Sequence, residues 1–198
     1  MPTKLRAAAI AALAALTLAA PPVAAQVQRW SAEVRGGLAV PTAEVGGEDL
    51  GTGLGFEGTL RVALHPYLAL YGGWSWVRFS PDPPVAGAAT HVADTGWLFG
   101  LTYAHPVAGS AGPAIWVRGG GVWAQVDLDD DDTGFSARTD HELGWEAALG
   151  LAFGTSGAWS LTPGVRYRSV DGTADVAGTP LDVGLRYVTF GLGISWLF

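Results

Sequence analysis

Large apolar side chains recur at every second position along most of this chain, and glycine, alanine, hydroxyl and charged residues fill the places between. A period of two marks extended strand with two unlike faces. The closing stretch, residues 187–198, shows it most plainly. Val188, Phe190, Leu192, Ile194, Trp196 and Phe198 share one face; Tyr187, Thr189, Gly191, Gly193, Ser195 and Leu197 share the other. A soluble barrel holds its bulk inside, whereas here the bulk faces away from a small, glycine-lined side. That inversion fits a barrel whose solvent is lipid.

The same pattern predicts seven earlier strands. The first, over residues 29–40, places Trp30, Val34 and Leu38 on the apolar face and Glu33 and Arg35 on the other. The second puts Leu54, Phe56 and Leu60 against Gly55, Glu57, Thr59 and Arg61, and the third puts Leu70, Trp74 and Trp76 against Tyr71 and Ser75. The fourth turns Trp97, Phe99, Leu101 and Tyr103 outward, and the fifth Ile115, Val117 and Trp123. In the fifth, Trp116 joins Arg118 and Gly120 inside and is the weakest fit to the pattern. The sixth is clean: Leu143, Trp145, Leu149, Leu151 and Phe153 out, Glu142, Gly144, Glu146 and Ala148 in. The seventh carries Trp159, Leu161, Val165 and Tyr167 out, with Thr162, Arg166 and Arg168 in. Long loops are expected over residues 41–52, 80–94, 127–140 and 171–184, alternating with short turns at His65-Pro66, His105-Pro106 and residues 154–158. Eight antiparallel strands of about 9–11 residues can cross a membrane and close without an edge. The expected fold is therefore all-β, an eight-stranded antiparallel up-and-down transmembrane barrel with no helix after the leader.

That leader is residues 1–25. Lys4 and Arg6 precede an apolar run from Ala7 to Ala20, then Pro21, Pro22 and the small-residue site Val23-Ala24-Ala25. This reads as a secretory signal peptide cut before Gln26, leaving residues 26–198 as the barrel domain. The apolar run is shorter than the ~20 residues a helical span needs. Export of a chain with no cysteine means the fold does not depend on disulfides. A net charge of −7 argues against nucleic acid as a partner. The only lysine is Lys4, so every basic side chain of the mature domain is an arginine, which suits fixed, fork-shaped pairing.

Charge placement tests the alternation. Glu33, Glu57, Glu142, Glu146, Arg35, Arg61, Arg118, Arg166 and Arg168 all fall on the inward face, while every Asp is assigned to a long loop or its rim. A charge facing lipid near the midplane costs about 2–4 kcal/mol, whereas inside a barrel each Glu can meet an Arg fork. The tryptophans form two expected belts. Trp30, Trp159 and Trp196 lie at the periplasmic strand ends, and Trp74, Trp76, Trp97, Trp123 and Trp145 lie toward the external ends.

With these features the chain resembles the small eight-stranded outer-membrane barrels, the OmpA/OmpX-like group. The residues that carry the resemblance are the leader, Gly144-Trp145-Glu146-Ala147-Ala148-Leu149-Gly150 and the terminal Phe198. The last segment, with Thr189, Gly191, Ile194, Trp196 and Phe198, looks like that family's assembly signal. The resemblance implies an outer-membrane location, contact with lipid and lipopolysaccharide, and the outer-membrane insertion machinery as a partner. A monomer is expected.

Candidate chemistry is sparse. Asp127, Asp129, Asp130, Asp131 and Asp132 could supply oxygens to calcium, but the run lacks the Gly and closing Glu of an EF-hand loop, so a solvated outer loop is expected. The inward Glu/Arg set reads as a structural lock, with a narrow conducting path as the alternative. Arg78 and Arg186 fall on outward positions near the external rim, at headgroup height. No nucleophile sits beside a His on an outward strand face, so neither an enzyme nor a cofactor is expected, and His141 with Glu142 would be the first place to look. A soluble lipocalin-like carrier is the remaining alternative and requires an apolar interior. The function expected is structural or interactive: a barrel displaying acidic loops.

Overall fold

The computed structural model describes residues 30–44, 50–80, 90–107, 112–130, 135–154, 158–176 and 179–198. The leader and its cleavage site lie outside these residues. Nine strands follow in order: β1 (Trp30–Pro41), β2 (Gly53–His65), β3 (Leu68–Phe79), β4 (Thr90–Pro106), β5 (Ala114–Asp130), β6 (Phe135–Arg138), β7 (Glu142–Gly154), β8 (Trp159–Val176) and β9 (Thr179–Leu197). All pairings are antiparallel. Sequence neighbours pair around the wall, β9 pairs β1, β4 pairs β5 and β5 pairs β7, so eight strands close a barrel and β6 is a short flap on the outer end of β5.

The register sets the barrel's shape. Following paired residues from Trp159 through Trp196, Ala32, Leu60, Gly72, Phe99, Gly121 and Trp145 returns to β8 at Ser169, ten residues further on. Eight strands with that stagger must tilt by about 40° to the barrel axis, given the ~3.3 Å rise and ~4.8 Å strand spacing of β-structure. Each residue then climbs about 2.5 Å, so the ten steps along β9 from Trp196 to Arg186 span about 25 Å, the height of a membrane-spanning apolar band.

The wall is greasy outside. Val34, Leu54, Leu60, Leu143, Leu149, Phe190 and Ile194 are all at least half exposed, while Glu33, Arg35, Glu57, Arg118, Glu146, Arg166 and Arg168 are buried. Trp159 stacks on Trp196 at 5.6 Å near the chain ends, and Trp74, Trp97 and Trp123 occupy directly paired positions toward the other end. Phe56 packs between Trp74 and Trp76, at 5.5 and 5.9 Å.

Several strands run further than the pattern predicts. The β4–β5 ladder is unbroken from Pro106↔Ala114 to Thr90↔Asp130, so residues 90–94 and 127–130 are strand rather than loop. Phe135–Arg138 pairs back onto residues 127–130 as β6, and β8 and β9 continue together up to Val176↔Thr179. Aspartate is a poor strand former only by a fraction of the ~1 kcal/mol that separates residue types, and an adjacent strand offers every backbone group a partner. The ladder therefore continues into water past the apolar band.

Candidate functional site

The interior holds an ionic network whose members come from six strands. Glu57 on β2 lies at the centre. It accepts from Arg118 Nη1 and Nη2 at 2.8 and 3.1 Å and from Arg166, with Arg35 Nε 3.8 Å away. Glu146 on β7 lies beside Arg118 at 3.3 Å and accepts from Arg168 at 3.0 Å and from the Tyr71 hydroxyl at 2.8 Å. Toward the short-turn end, Glu33 takes Arg35 at 2.9 Å and Arg61 at 3.2 Å, and Arg61 also donates to Ser195 at 2.5 Å. Side chains at alternate positions all point inward, and the stagger lifts each neighbouring strand relative to the last. Residues distant in sequence, Glu57 and Arg166 for instance, thus arrive at one level.

Hydroxyls complete the network. Thr162 accepts from Arg35 and donates to Glu33, both at 3.2 Å. Thr162→Val keeps the shape and removes both bonds, so a loss of about 1–2 kcal/mol in equilibrium unfolding is expected. An unchanged midpoint and slope would show that Glu33 and Arg35 need no third partner.

Two expectations about these residues are corrected. Glu142 shares the inward parity, but it pairs with Ala124 at the outer rim, is only half-buried, and joins no ion pair among the described residues. Parity gives a face and not a height. Asp94, assigned to a loop, is instead fully buried on β4, where it accepts from Arg168 at 3.0 Å and from the Tyr187 hydroxyl at 2.5 Å. The extended β4 ladder carries it inside. A period-two count continued through Asp94, Gly96 and Leu98 would have found it.

Trp116 is inside, as its position requires, and the structure supplies the reason. Its ring lies over the Arg35 guanidinium at 4.8 Å, and its indole N–H donates to the Leu151 carbonyl at 3.1 Å. A Cβ on either Gly150 or Gly164 would collide with that ring, so glycines on β7 and on β8 beyond it make its place. Gly120 does the same for Tyr71, over whose ring Arg118 sits at 4.7 Å.

Toward the long loops the interior is mostly apolar. Val77, Phe79, Val92, Val126, Leu185 and Tyr187, with Ala39, form one buried cluster, and Phe79 meets Tyr187 edge-on at 5.2 Å. Tyr71, Leu98, Val122, Ala124 and Val170 form a second buried cluster. A cavity between Arg35, Trp116, Arg118 and Arg166 has a volume of about 10 Å³, room for about one water. The interior is thus a packed core, ionic through its middle and short-turn side and largely apolar toward the long loops, where Tyr187 ties the apolar cluster to Asp94 and Arg168.

At the external rim, Asp127 is held by Arg138 at 2.5 Å and by Gln125 at 3.0 Å. Asp131 and Asp132 lie outside the described residues. Among the described residues, no three acidic or His side chains are grouped so as to hold a metal ion. Arg186 pairs with Asp171 at 3.3 Å, and Arg78 is exposed on the outward face of β3. His141 lies against Trp123, with ring centroids 4.7 Å apart.

A closed antiparallel wall, apolar outside and ionic within, crossed by strands tall enough to span a bilayer, defines a membrane β-barrel. The chain belongs to the family described as the outer membrane protein beta-barrel domain, which matches residues 10–198. No curated protein matches it. Solved structures share its fold. Neisserial surface protein A superposes with a TM-score of 0.59 at 10% identity, over 86% of this chain and 97% of that one. The outer membrane protein OprG from Pseudomonas aeruginosa gives 0.59 at 14%, over 87% and 99%. Ail, the attachment invasion locus protein of Yersinia pestis, in complex with the heparin analogue sucrose octasulfate, gives 0.50 at 13%, over 85% and 99%.

Proposed function

We propose that this outer-membrane barrel works by what it displays rather than by what it passes, serving envelope integrity, adhesion or surface binding. One observation carries the reading: the interior is filled, by the Glu57 and Glu146 networks on one side and by the Val77, Phe79, Val126 and Leu185 cluster on the other. An eight-stranded barrel has an interior only wide enough for side chains, and here they occupy it. The strands that project beyond the apolar band, β4 to β6 and the outer halves of β8 and β9, provide a raised scaffold for the acidic loops. A solved relative of the same fold, Ail, is an attachment protein captured with a sulfated sugar, which favours a binding role.

Purified barrel in planar bilayers is expected to give no stable conductance. Steady single-channel steps that vanish on altering Glu146 or Arg118 would replace this reading with the narrow pore. Residues 1–25 act as a cleaved export signal in this proposal. The ending, with Thr189, Gly191, Ile194, Trp196 and Phe198, is read by the insertion machinery, and the monomer stands in lipid and lipopolysaccharide.

A further inference from the structure

The greasy wall is not even. Between β1 and β4 it sinks into a groove of about 830 Å³, walled by Leu60, Leu70, Trp74 and Trp97 and floored by Gly58 and Gly72. Sites for small apolar ligands enclose about 300–1,000 Å³. The groove is lined almost wholly by apolar surface. From Val34 on β1 to Phe99 on β4 it covers three strand spacings, about 14 Å.

The floor serves nothing within the barrel. Inward glycines such as Gly73 and Gly120 are required, because a Cβ there would run into the carbonyl oxygens of Gly58 and Phe99. Gly58 and Gly72 face outward, are exposed, and have no positive φ. A Cβ on Gly58 would meet nothing within 4 Å, and one on Gly72 only the Leu98 carbonyl oxygen at 3.7 Å. Glycine weakens a strand interior, so an outward one with open space above it marks a place where another molecule comes close. The large neighbours lean away from this floor. Phe99 pairs with both Gly72 and Gly121, and its ring lies over Gly121, while Trp74 rests against Phe56 at 5.5 Å.

Height and charge select the occupant. Gly72, Trp74, Trp76 and Arg78 follow one another on the outward row of β3. The six steps from Gly72 to Arg78, at about 2.5 Å each, lift Arg78 about 15 Å above the floor, half of a ~30 Å hydrocarbon core. The floor therefore lies at the bilayer centre, and the exposed Arg78 guanidinium stands at headgroup level in the external leaflet. Among the described residues no arginine faces lipid at the short-turn end. A chain that starts from an anionic headgroup at Arg78 runs one leaflet deep, passes the rings of Trp76 and Trp74, and ends over Gly58 and Gly72. Within a bilayer such a chain gains nothing by leaving water. What it gains is dispersion contact with bare backbone and ring faces, as small residues allow between transmembrane segments.

We propose that this groove is a seat for one lipid of the external leaflet, a phosphorylated sugar with several acyl chains, its phosphate against Arg78 and its chain ends over Gly58 and Gly72. The phosphate matches the guanidinium, and the width of the groove takes chains side by side. The proposal rests on the lipopolysaccharide contact proposed above and names where on the wall it is made. The test reconstitutes the barrel into phosphatidylcholine vesicles holding equal small shares of diphosphoryl lipid A and phosphatidylglycerol. The barrel is then released in mild detergent, and native mass spectrometry identifies the lipid it keeps. One lipid A per barrel is expected. Gly58→Leu/Gly72→Leu fills the floor where a Cβ has room, so the barrel should fold and lose the lipid. Arg78→Gln should weaken retention about fivefold, the effect of one cation near an anionic surface. Gly119→Leu, at an outward glycine outside the groove with equally open space, and Arg186→Gln, at another exposed rim cation, should change nothing. Heat-modifiable migration and protease protection in the vesicles report insertion, and a barrel that folds without inserting defeats the membrane placement itself. An inserted barrel overturns the seat alone if it keeps the two phosphorylated lipids equally or keeps lipid A with the floor filled. Loss of the lipid in Gly119→Leu, or a two-barrel mass that disappears when the floor is filled, overturns it too.

Discussion

Glu57→Leu is expected to destabilise the folded barrel by about 3–5 kcal/mol, the largest effect of any single replacement considered for this protein. The carboxylate is almost fully buried and accepts from Arg118 and Arg166, with Arg35 close by. Removing it leaves three guanidiniums around an apolar side chain, and Glu146 beside Arg118 and Glu33 beside Arg35 offset only part of their repulsion. The expected loss reflects those stranded charges and not the net worth of the ion pairs, which burial of both partners largely offsets. For that reason Glu57→Gln, which keeps an acceptor oxygen and the shape, should fall in the same direction by less. Urea unfolding in lipid vesicles, followed by tryptophan emission and by heat-modifiable migration, measures both. A change below about 1 kcal/mol for Glu57→Leu would mean that the network is not what holds the interior together.

Leu149→Arg should cost about 2–4 kcal/mol in vesicles, although this side chain is already 60% exposed. On the surface of a water-soluble protein such a replacement would stay within about ±0.5 kcal/mol. The difference comes from the solvent. Leu149 lies midway along β7 between Trp145 and Phe153, hence near the centre of the apolar band, where a guanidinium must shed its hydration or drag water in. Leu143, at 70% exposure, stands beyond Trp145 at the outer rim, so Leu143→Arg should cost only about 0–1 kcal/mol. The contrast between two equally greasy, equally outward leucines on one strand is a depth gauge. Equal small costs at both would contradict a lipid solvent.

The two faces of the wall were readable from the chain because alternation is a local property of extended backbone. Glu33, Arg35, Glu57, Arg61, Arg118, Glu146, Arg166 and Arg168 could all be assigned inward by counting in twos, and the structure places them there. Counting could not say where a ladder stops. Asp94 looked like loop because it follows a stretch with Pro81, Pro83 and Pro84, yet β4 begins at Thr90 and takes it into the core. Glu142 erred the other way, right in parity and wrong in height. The apolar cluster at the outer end was missed as well. Val77, Phe79, Val92, Val126 and Leu185 lie on inward positions near strand ends, which the alternation of the middle segments did not reach.

Sequence alone determined the closed all-β class, the lipid-facing rows and the inward charges, because side-chain direction along a strand follows from backbone geometry within a few residues. Only the tertiary structure decided which Arg meets which Glu, and that a cluster of apolar side chains fills the external end beside Arg168 and Asp94. Those outcomes depend on the ten-residue stagger, which sets the level of every strand against its neighbours. That quantity is a property of the closed ring of hydrogen bonds and is written in no single strand.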